Sequence, residues 1–189
     1  MKNDLNNSEL ICIHMTKCIN SLIAQKDTGG GKAMLAKLRR GIGKNPGELP
    51  ELWGIFLNEI PEQLISRNGI PSWAEWAVYL SLTMFALHQQ GNDEIVHAEK
   101  INLGDAARIL ADKYDDNGRE RVIRRFAPII TAKDMPEFAH HLRGMIQIFS
   151  AEGVKLDYIR LANDIFFFQS DRKKVQLIWG ESFYYKKGE

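Results

Sequence analysis

The sequence has few cysteines and no apolar run long enough to cross a bilayer. Its 189 residues include two cysteines, Cys12 and Cys18, too few for the disulfide framework of a small secreted protein. The longest apolar run, Trp73 to Leu87, is interrupted by Glu75 and is shorter than the ~20 residues that a membrane-spanning helix needs. We see no secretory leader and expect a protein of the reducing cytoplasm.

The familiar motifs of catalytic and metal sites are missing as well. Residues 29–32 read GGGK, like the end of a phosphate-binding loop, but Lys26 stands where that motif has a glycine and Ala33 where it has Ser or Thr. The Cys-x-His-x3-Cys segment at residues 12–18 is one ligand short of a structural zinc site. We therefore expect no enzymatic activity, no cofactor and no bound metal.

Positive and negative charges nearly cancel over the whole chain but are segregated along it. There are 25 Lys and Arg against 24 Asp and Glu, which gives a net charge of +1. Residues 32–44 hold five basic residues and no acidic one, and residues 119–125 hold four basic and one acidic. Residues 93–116 hold seven acidic and three basic residues. This pattern predicts one positive and one negative surface.

Two segments predict amphipathic helices with a basic face, residues 31–44 and 119–130. In each, apolar residues recur at helical spacing on one face while Lys or Arg occupy the other. Such a face suits a polyanion, and arginine pairs with phosphate oxygens through two hydrogen bonds. The residues expected to bind nucleic acid are Lys32, Lys37, Arg39, Arg40, Lys44, Arg119, Arg121, Arg124 and Arg125, with Arg143 as a weaker candidate. Glu137 and Glu152 are alternative partners for Arg143.

Helical spacing over almost the whole chain predicts an all-α fold of eight to nine helices. We expect two small bundles, residues 1–98 with the basic helix 31–44 and residues 99–189 with the basic helix 119–130, joined by an acidic linker at residues 91–102. A capping box is predicted where Ser72 precedes Glu75 by three residues.

Three further local features are predicted from turn and cap chemistry. Asp134 and Glu137 are expected to form a second capping box, and Gly153 to stop the helix that follows them. Residues 115–118, DDNG, predict a turn between helices, and residues 175–178 have the composition of a short strand.

An ordered series of segments resembles a known family. In chain order the segments are GGGKAMLAKLRRGIGK from Gly29, LW from Leu52, INLGDAARIL from Ile101, RERVIRRFAPII from Arg119, HHLRGMIQIF from His140, LDYIRLANDIFFF from Leu156 and WGESFYY from Trp179. As a set they resemble CasB, the small-subunit family of the type I-E CRISPR interference complex Cascade. The resemblance runs from Gly29 to about Tyr185 and rests on the order of the segments rather than on any single motif.

The resemblance implies a non-catalytic, all-helical subunit of an antiviral complex. Two copies would stack beside the backbone subunits that hold the CRISPR RNA and contact the large subunit that reads the PAM. Their basic surfaces would bind DNA of the R-loop, chiefly the displaced strand but also the target strand, while a separate nuclease cuts. One alternative stays open, that of a purely structural scaffold whose basic patches meet acidic protein partners and never touch DNA.

Overall fold

The computed structural model describes residues 2–57 and 60–185, with the side chains of residues 2–5 excepted. Within these residues there are nine α-helices, two short 3₁₀ helices at Pro50–Leu52 and Glu62–Leu64, and no strand beyond an isolated bridge between His97 and Leu156. The predicted all-α class is confirmed. The helices are α1 (Lys2–Gln25), α2 (Gly29–Arg40), α3 (Trp53–Phe56), α4 (Trp73–His88), α5 (Leu103–Ala111), α6 (Asp116–Thr131), α7 (Met135–Glu152), α8 (Tyr158–Ser170) and α9 (Arg172–Tyr184).

Side-chain caps fix where several helices begin and end. The predicted box at α4 is present: the Glu75 amide donates to Ser72 Oγ at 3.0 Å, and the Ser72 amide donates to the Glu75 carboxylate at 2.7 Å. Asn102 and Asp105 form the same reciprocal pair at α5. Gly153 ends α7 in the left-handed conformation with φ 63°, which confirms the helix stop predicted at this glycine.

Two local predictions are wrong, and one segment of strand-like composition is helical. Residues 115–118 do not form the predicted turn between helices. Asp115 instead caps α6 by accepting a hydrogen bond from the Gly118 amide at 2.8 Å. Residues 175–178 lie within α9 because Val175 and Trp179, one turn apart, are both buried. The box at α7 is incomplete: Asp134 caps the helix, but the carboxylate of Glu137 accepts from the Lys133 amide instead.

Helix α4 lies at the centre of the fold. Thirteen of its sixteen residues are buried, and it packs against α1, α2, α7 and α8. Helix α8 packs on α1 and α4, while α5 packs on α6 and α9. Helices from both sides of residue 98 thus share one hydrophobic core. The division into independent bundles at that residue stays a prediction about folding units.

The acidic segment at residues 91–102 is tied to the start of α8. The Leu156 amide donates to the Val96 carbonyl at 3.1 Å, and the Asp157 amide donates to the Ile101 carbonyl at 2.8 Å. The carboxylate of Asp157 in turn accepts from the Lys100 amide at 2.9 Å. These hydrogen bonds attach the acidic segment to the start of α8.

Two buried polar pairs join α8 to its neighbours. His88 Nδ1 and the Tyr158 hydroxyl are 2.8 Å apart, and burial lowers the pKa of His88 to about 4. Trp179 Nε1 donates to Asp164 at 2.8 Å, and burial raises the pKa of Asp164 to about 6. No helix in the described part of the chain is long and apolar enough to cross a membrane.

Candidate nucleic-acid interface

A cleft of about 710 Å³ lies between α6 and α7, which follow each other in sequence and pack side by side. The apolar face of α6 packs into the core, where it buries Val122, Phe126 and Ile129. The opposite face is thereby turned outward, and its basic residues line the cleft together with two histidines of α7. The charged and titratable residues lining it are Arg121, Arg124, Arg125, His140 and His141.

The arginines of α6 differ in how they are paired. Arg121 and Arg125 form no salt bridge with any residue that the structure describes, and Arg124 has only an exposed contact with Glu120 at 3.5 Å. An exposed pair of that length contributes little to stability, so Arg124 is easily released. Arg119 is different: it bonds to Asp112 at 2.9 Å and lies over the Phe183 ring at 5.1 Å. It therefore helps to fasten α6 to α5 and α9.

Tyr114 closes one end of the cleft. Its hydroxyl bonds to Glu152, which is the main reason that the pKa of Tyr114 is raised. Its side chain packs against Gly118, where an added Cβ would lie 2.3 Å from the Tyr114 Cβ. Only glycine permits this approach, so Gly118 sets the position of Tyr114 at the start of α6.

The basic segment at residues 31–44 is helical only to Arg40, four residues short of the prediction. The chain turns at Gly41, whose carbonyl accepts a hydrogen bond from the Tyr79 hydroxyl at 2.9 Å. An added Cβ at Gly41 would lie 2.7 Å from both Leu52 and the Tyr79 hydroxyl. Gly43 then has φ 81°, which continues the turn and carries Lys44 away from the helix axis.

Acidic residues of the next loop pair with two of the predicted phosphate binders. Arg40 donates through Nε and Nη2 to the two carboxylate oxygens of Glu51, at 2.7 and 2.6 Å. This hydrogen bonding holds the pKa of Glu51 below its usual value. Lys44 pairs with Glu48 at 2.8 Å and likewise lowers the pKa of that carboxyl.

The remaining cations of α2 lie apart from the α6–α7 cleft. Lys32 and Arg39 line a separate concavity of about 290 Å³ beside the end of α4, together with Lys26 and Asp93. Arg39 also donates to the backbone at the end of α4, over 3.4 Å. Lys37 is exposed and forms no salt bridge within the described chain. The basic residues of α2 therefore lie in different environments and do not form one continuous surface with the cleft.

A smaller concavity of about 240 Å³ lies between the end of the first basic segment and α7. It is bounded by residues 42–45, by Trp76 of α4 and by α7, where Arg143 and His140 line it. Arg143 forms no salt bridge with any described residue, so neither alternative partner holds it. His140 lines both this pocket and the α6–α7 cleft. The two therefore meet along α7. We call their cationic and titratable lining the basic track: Lys44, Arg143, His140, His141, Arg121, Arg124 and Arg125.

Sequence reasoning assigned only Arg143 of α7 to the interface, as a weaker candidate. His140, His141 and Trp76 were not among the predicted binders, although His140 and Arg143 are three residues apart and so share a helix face. That spacing was the available signal. No group of three or more metal-binding side chains is found among the described residues.

Comparison with known proteins agrees with this fold. The family model of the CRISPR-associated protein Cse2 matches residues 34–184. The crystal structure of CasB from Thermobifida fusca is similar, with 25% identity, a TM-score of 0.77, and coverage of 93% of this chain and 98% of that one.

Two further structures share the fold, both from Thermus thermophilus. A CasB structure has 21% identity, a TM-score of 0.66, and 90% of this chain and 97% of that one covered. A structure of a CRISPR-associated protein of the Cse2 family has 22% identity, a TM-score of 0.65 and the same coverage. A search of curated proteins finds no match to the chain.

Proposed function

Because the chain belongs to the CRISPR-associated Cse2 family, the CasB subunits of Cascade, we propose that it is a non-catalytic subunit that binds nucleic acid regardless of sequence and stabilises the R-loop. The observation that carries the proposal is the basic track, in which residues from α6, α7 and the turn after α2 line two concavities that meet at His140. We place this role in the cytoplasm, with a second copy and the large and backbone subunits of the complex as protein partners.

The physical need for such a subunit follows from the energetics of the R-loop. An RNA–DNA hybrid replaces a DNA duplex of similar stability, so the exchange is nearly balanced. The displaced strand competes to re-form the duplex, at roughly 1.4 kcal/mol per base-pair step. A protein that binds the displaced strand removes that competitor. Contacts worth a few base-pair steps are enough to shift the balance.

The arginines of the cleft suit a ligand of any sequence. Arg121 and Arg125 are free of acidic partners in the described chain and line the cleft. Guanidinium groups bind phosphate oxygens, which are the same in every nucleotide, so they position a strand without reading its bases. Each neutralised phosphate of a single strand releases about 0.7 of a counterion, which adds favourable entropy at low salt.

The proposal is tested in an assembled complex that carries the Arg121→Glu/Arg125→Glu subunit. Both side chains are exposed and unpaired within the described residues, so we expect the complex to assemble normally. The displaced strand should become more sensitive to a single-strand nuclease, and the half-life of the R-loop should fall by about tenfold or more.

A matched complex carries Arg67→Glu, a charge reversal at another exposed arginine that lies outside the basic track. It should behave like the wild type. Normal nuclease protection and R-loop lifetime in the double variant would overturn the proposal and favour the scaffold alternative. Failure of the double variant to assemble would also favour a protein-binding role for these arginines.

A further inference from the structure

The indole of Trp76 has no ring or hydrogen-bond partner in the described chain, unlike those of the other three tryptophans. Trp53 donates its indole N–H to the Gly47 carbonyl at 2.9 Å, and Trp73 packs edge-on against Phe166. Trp179 donates a hydrogen bond to Asp164 and stacks on two phenylalanines. The half-buried Trp76 instead lines the small pocket that joins the turn after α2 to α7.

Basic residues line the pocket beside the indole of Trp76. Lys44 lies on one side of the pocket, and His140 and Arg143 lie on the α7 side. A cationic guest would be repelled here, whereas the phosphates that flank a nucleobase would be attracted. Within the described chain, the only acidic group paired with these residues is Glu48, which forms an exposed salt bridge to Lys44. An exposed pair of this kind is readily exchanged for a phosphate.

The size of the pocket also limits the guest. Its volume of about 240 Å³ is below the roughly 300–1,000 Å³ of pockets that enclose whole drug-sized ligands. A single planar base fits this scale, with its sugar and phosphate left outside among the cations. Asn45 lines the same pocket and makes no side-chain hydrogen bond with the described residues. Its amide offers one acceptor and two donors, so it can serve the edge of any base.

From these observations we propose that the pocket at Trp76 holds one unpaired nucleobase of a bound single strand, stacked on the indole. This inference rests on the proposed function and adds to it a preference for single strands. A base in a duplex is already stacked and paired and cannot enter, so the pocket favours single strands over duplex. Stacking tolerates every base because each has a π-face, which keeps the interaction independent of sequence.

The test compares a single-stranded thymidine oligonucleotide with an abasic oligonucleotide of the same length, each bound to the full chain. The wild type should bind the thymidine strand about five- to tenfold more tightly than the abasic strand. Trp76→Leu should lose this preference and keep its affinity for the abasic strand, while Trp76→Phe should retain most of it.

Trp73→Leu is the matched control, since Trp73 lies three residues earlier on the same helix and lines a different concavity. It should keep the wild-type preference. A Trp76→Leu protein with the wild-type preference would overturn the inference. In the unaltered protein, a strand carrying 5-iododeoxyuridine should crosslink to Trp76, and crosslinking elsewhere alone would also contradict it.

The outcomes separate this inference from the function on which it rests. Arg121→Glu/Arg125→Glu should weaken binding of thymidine and abasic strands alike, because it removes phosphate contacts. A wild-type chain that binds neither strand would overturn both proposals. A chain that binds both strands equally would leave the phosphate-binding function standing and refute the base pocket.

Discussion

Helix α6 presents two arginines to a cleft without acidic partners in the described chain, whereas the segment after α2 supplies a carboxylate that binds its last arginine, Arg40. Arg40 is held by both oxygens of Glu51, at 2.7 and 2.6 Å, while Arg121 and Arg125 have no such partner. Each of the two helices carries four basic residues. The availability of these basic residues to phosphates therefore depends on where the nearest acidic residues lie.

A run of basic residues in a sequence shows how many positive charges a helix carries. It does not show which of these charges are free to bind a phosphate. Glu51 is eleven residues from Arg40, so the pair is formed by the turn at Gly41 and the following 3₁₀ helix. The acid closest in sequence to the arginines of α6 is Glu120, which reaches only Arg124, at 3.5 Å. The cleft of α6 is thus the stronger candidate for binding a strand.

The largest expected effect is on single-strand binding by the triple variant Arg121→Glu/Arg124→Glu/Arg125→Glu. Hydrogen bonds to charged groups contribute about 1.5–3 kcal/mol each, so we expect a loss of about 100-fold or more, measured by fluorescence anisotropy. The melting temperature should change little because all three side chains are exposed. Arg67→Glu should change the affinity by less than about threefold. An equal loss in both proteins would mean that overall charge, not the cleft, governs binding.

A smaller effect is expected where glycine sets the shape of the cleft. Gly118→Ala would bring a Cβ within 2.3 Å of the Tyr114 Cβ, and so should destabilise the protein by about 1–3 kcal/mol. Gly144 also lines the cleft, but an added Cβ there meets nothing within 4 Å. Gly144→Ala should therefore be neutral or slightly stabilising. Urea unfolding measures both, and equal stability of the two variants would show that the contact at Tyr114 is not close.

The smallest expected effects come from freeing a cation on α2. Glu51→Gln removes the acid that holds Arg40, so single-strand affinity should rise by about two- to threefold at low salt. A fall in affinity would contradict the view that Glu51 withholds Arg40 from a ligand.

The same variant has a pH signature. Since Arg40 lowers the pKa of Glu51, the pair stabilises the folded state above the ordinary pKa of a glutamate, and this contribution is lost as the pH falls through the lowered value. Wild type should therefore be slightly more stable than Glu51→Gln at pH 7, and the difference should disappear in strong acid. A difference that grows towards acid would have the wrong sign.

Much of the fold could be predicted because its signals are local. The box at Ser72 and Glu75 and the glycine stop at Gly153 depend on residues within a single turn. The strand-like composition of residues 175–178 did not decide their structure, because burial of Val175 and Trp179 against other helices overrides it.

The site could be predicted less well because it depends on packing between distant segments. Arg125 and Arg143 could be identified from charge and residue type. Their connection through His140 could not, because it requires α6 and the turn after α2 to lie beside neighbouring faces of the same helix, α7. The pairing of Arg40 by Glu51 was equally out of reach, since it follows from the turn at Gly41.

The most direct test of the central claim is the salt dependence of single-strand binding in two matched variants, Arg125→Gln and Arg40→Gln. Each removes one positive charge from an exposed arginine on a basic helix. If the α6–α7 cleft binds the strand, Arg125→Gln should reduce the slope of log affinity against log salt by about 0.7, the loss of one phosphate contact. Arg40→Gln should leave the slope unchanged. A reduced slope for Arg40→Gln with an unchanged slope for Arg125→Gln would contradict the account.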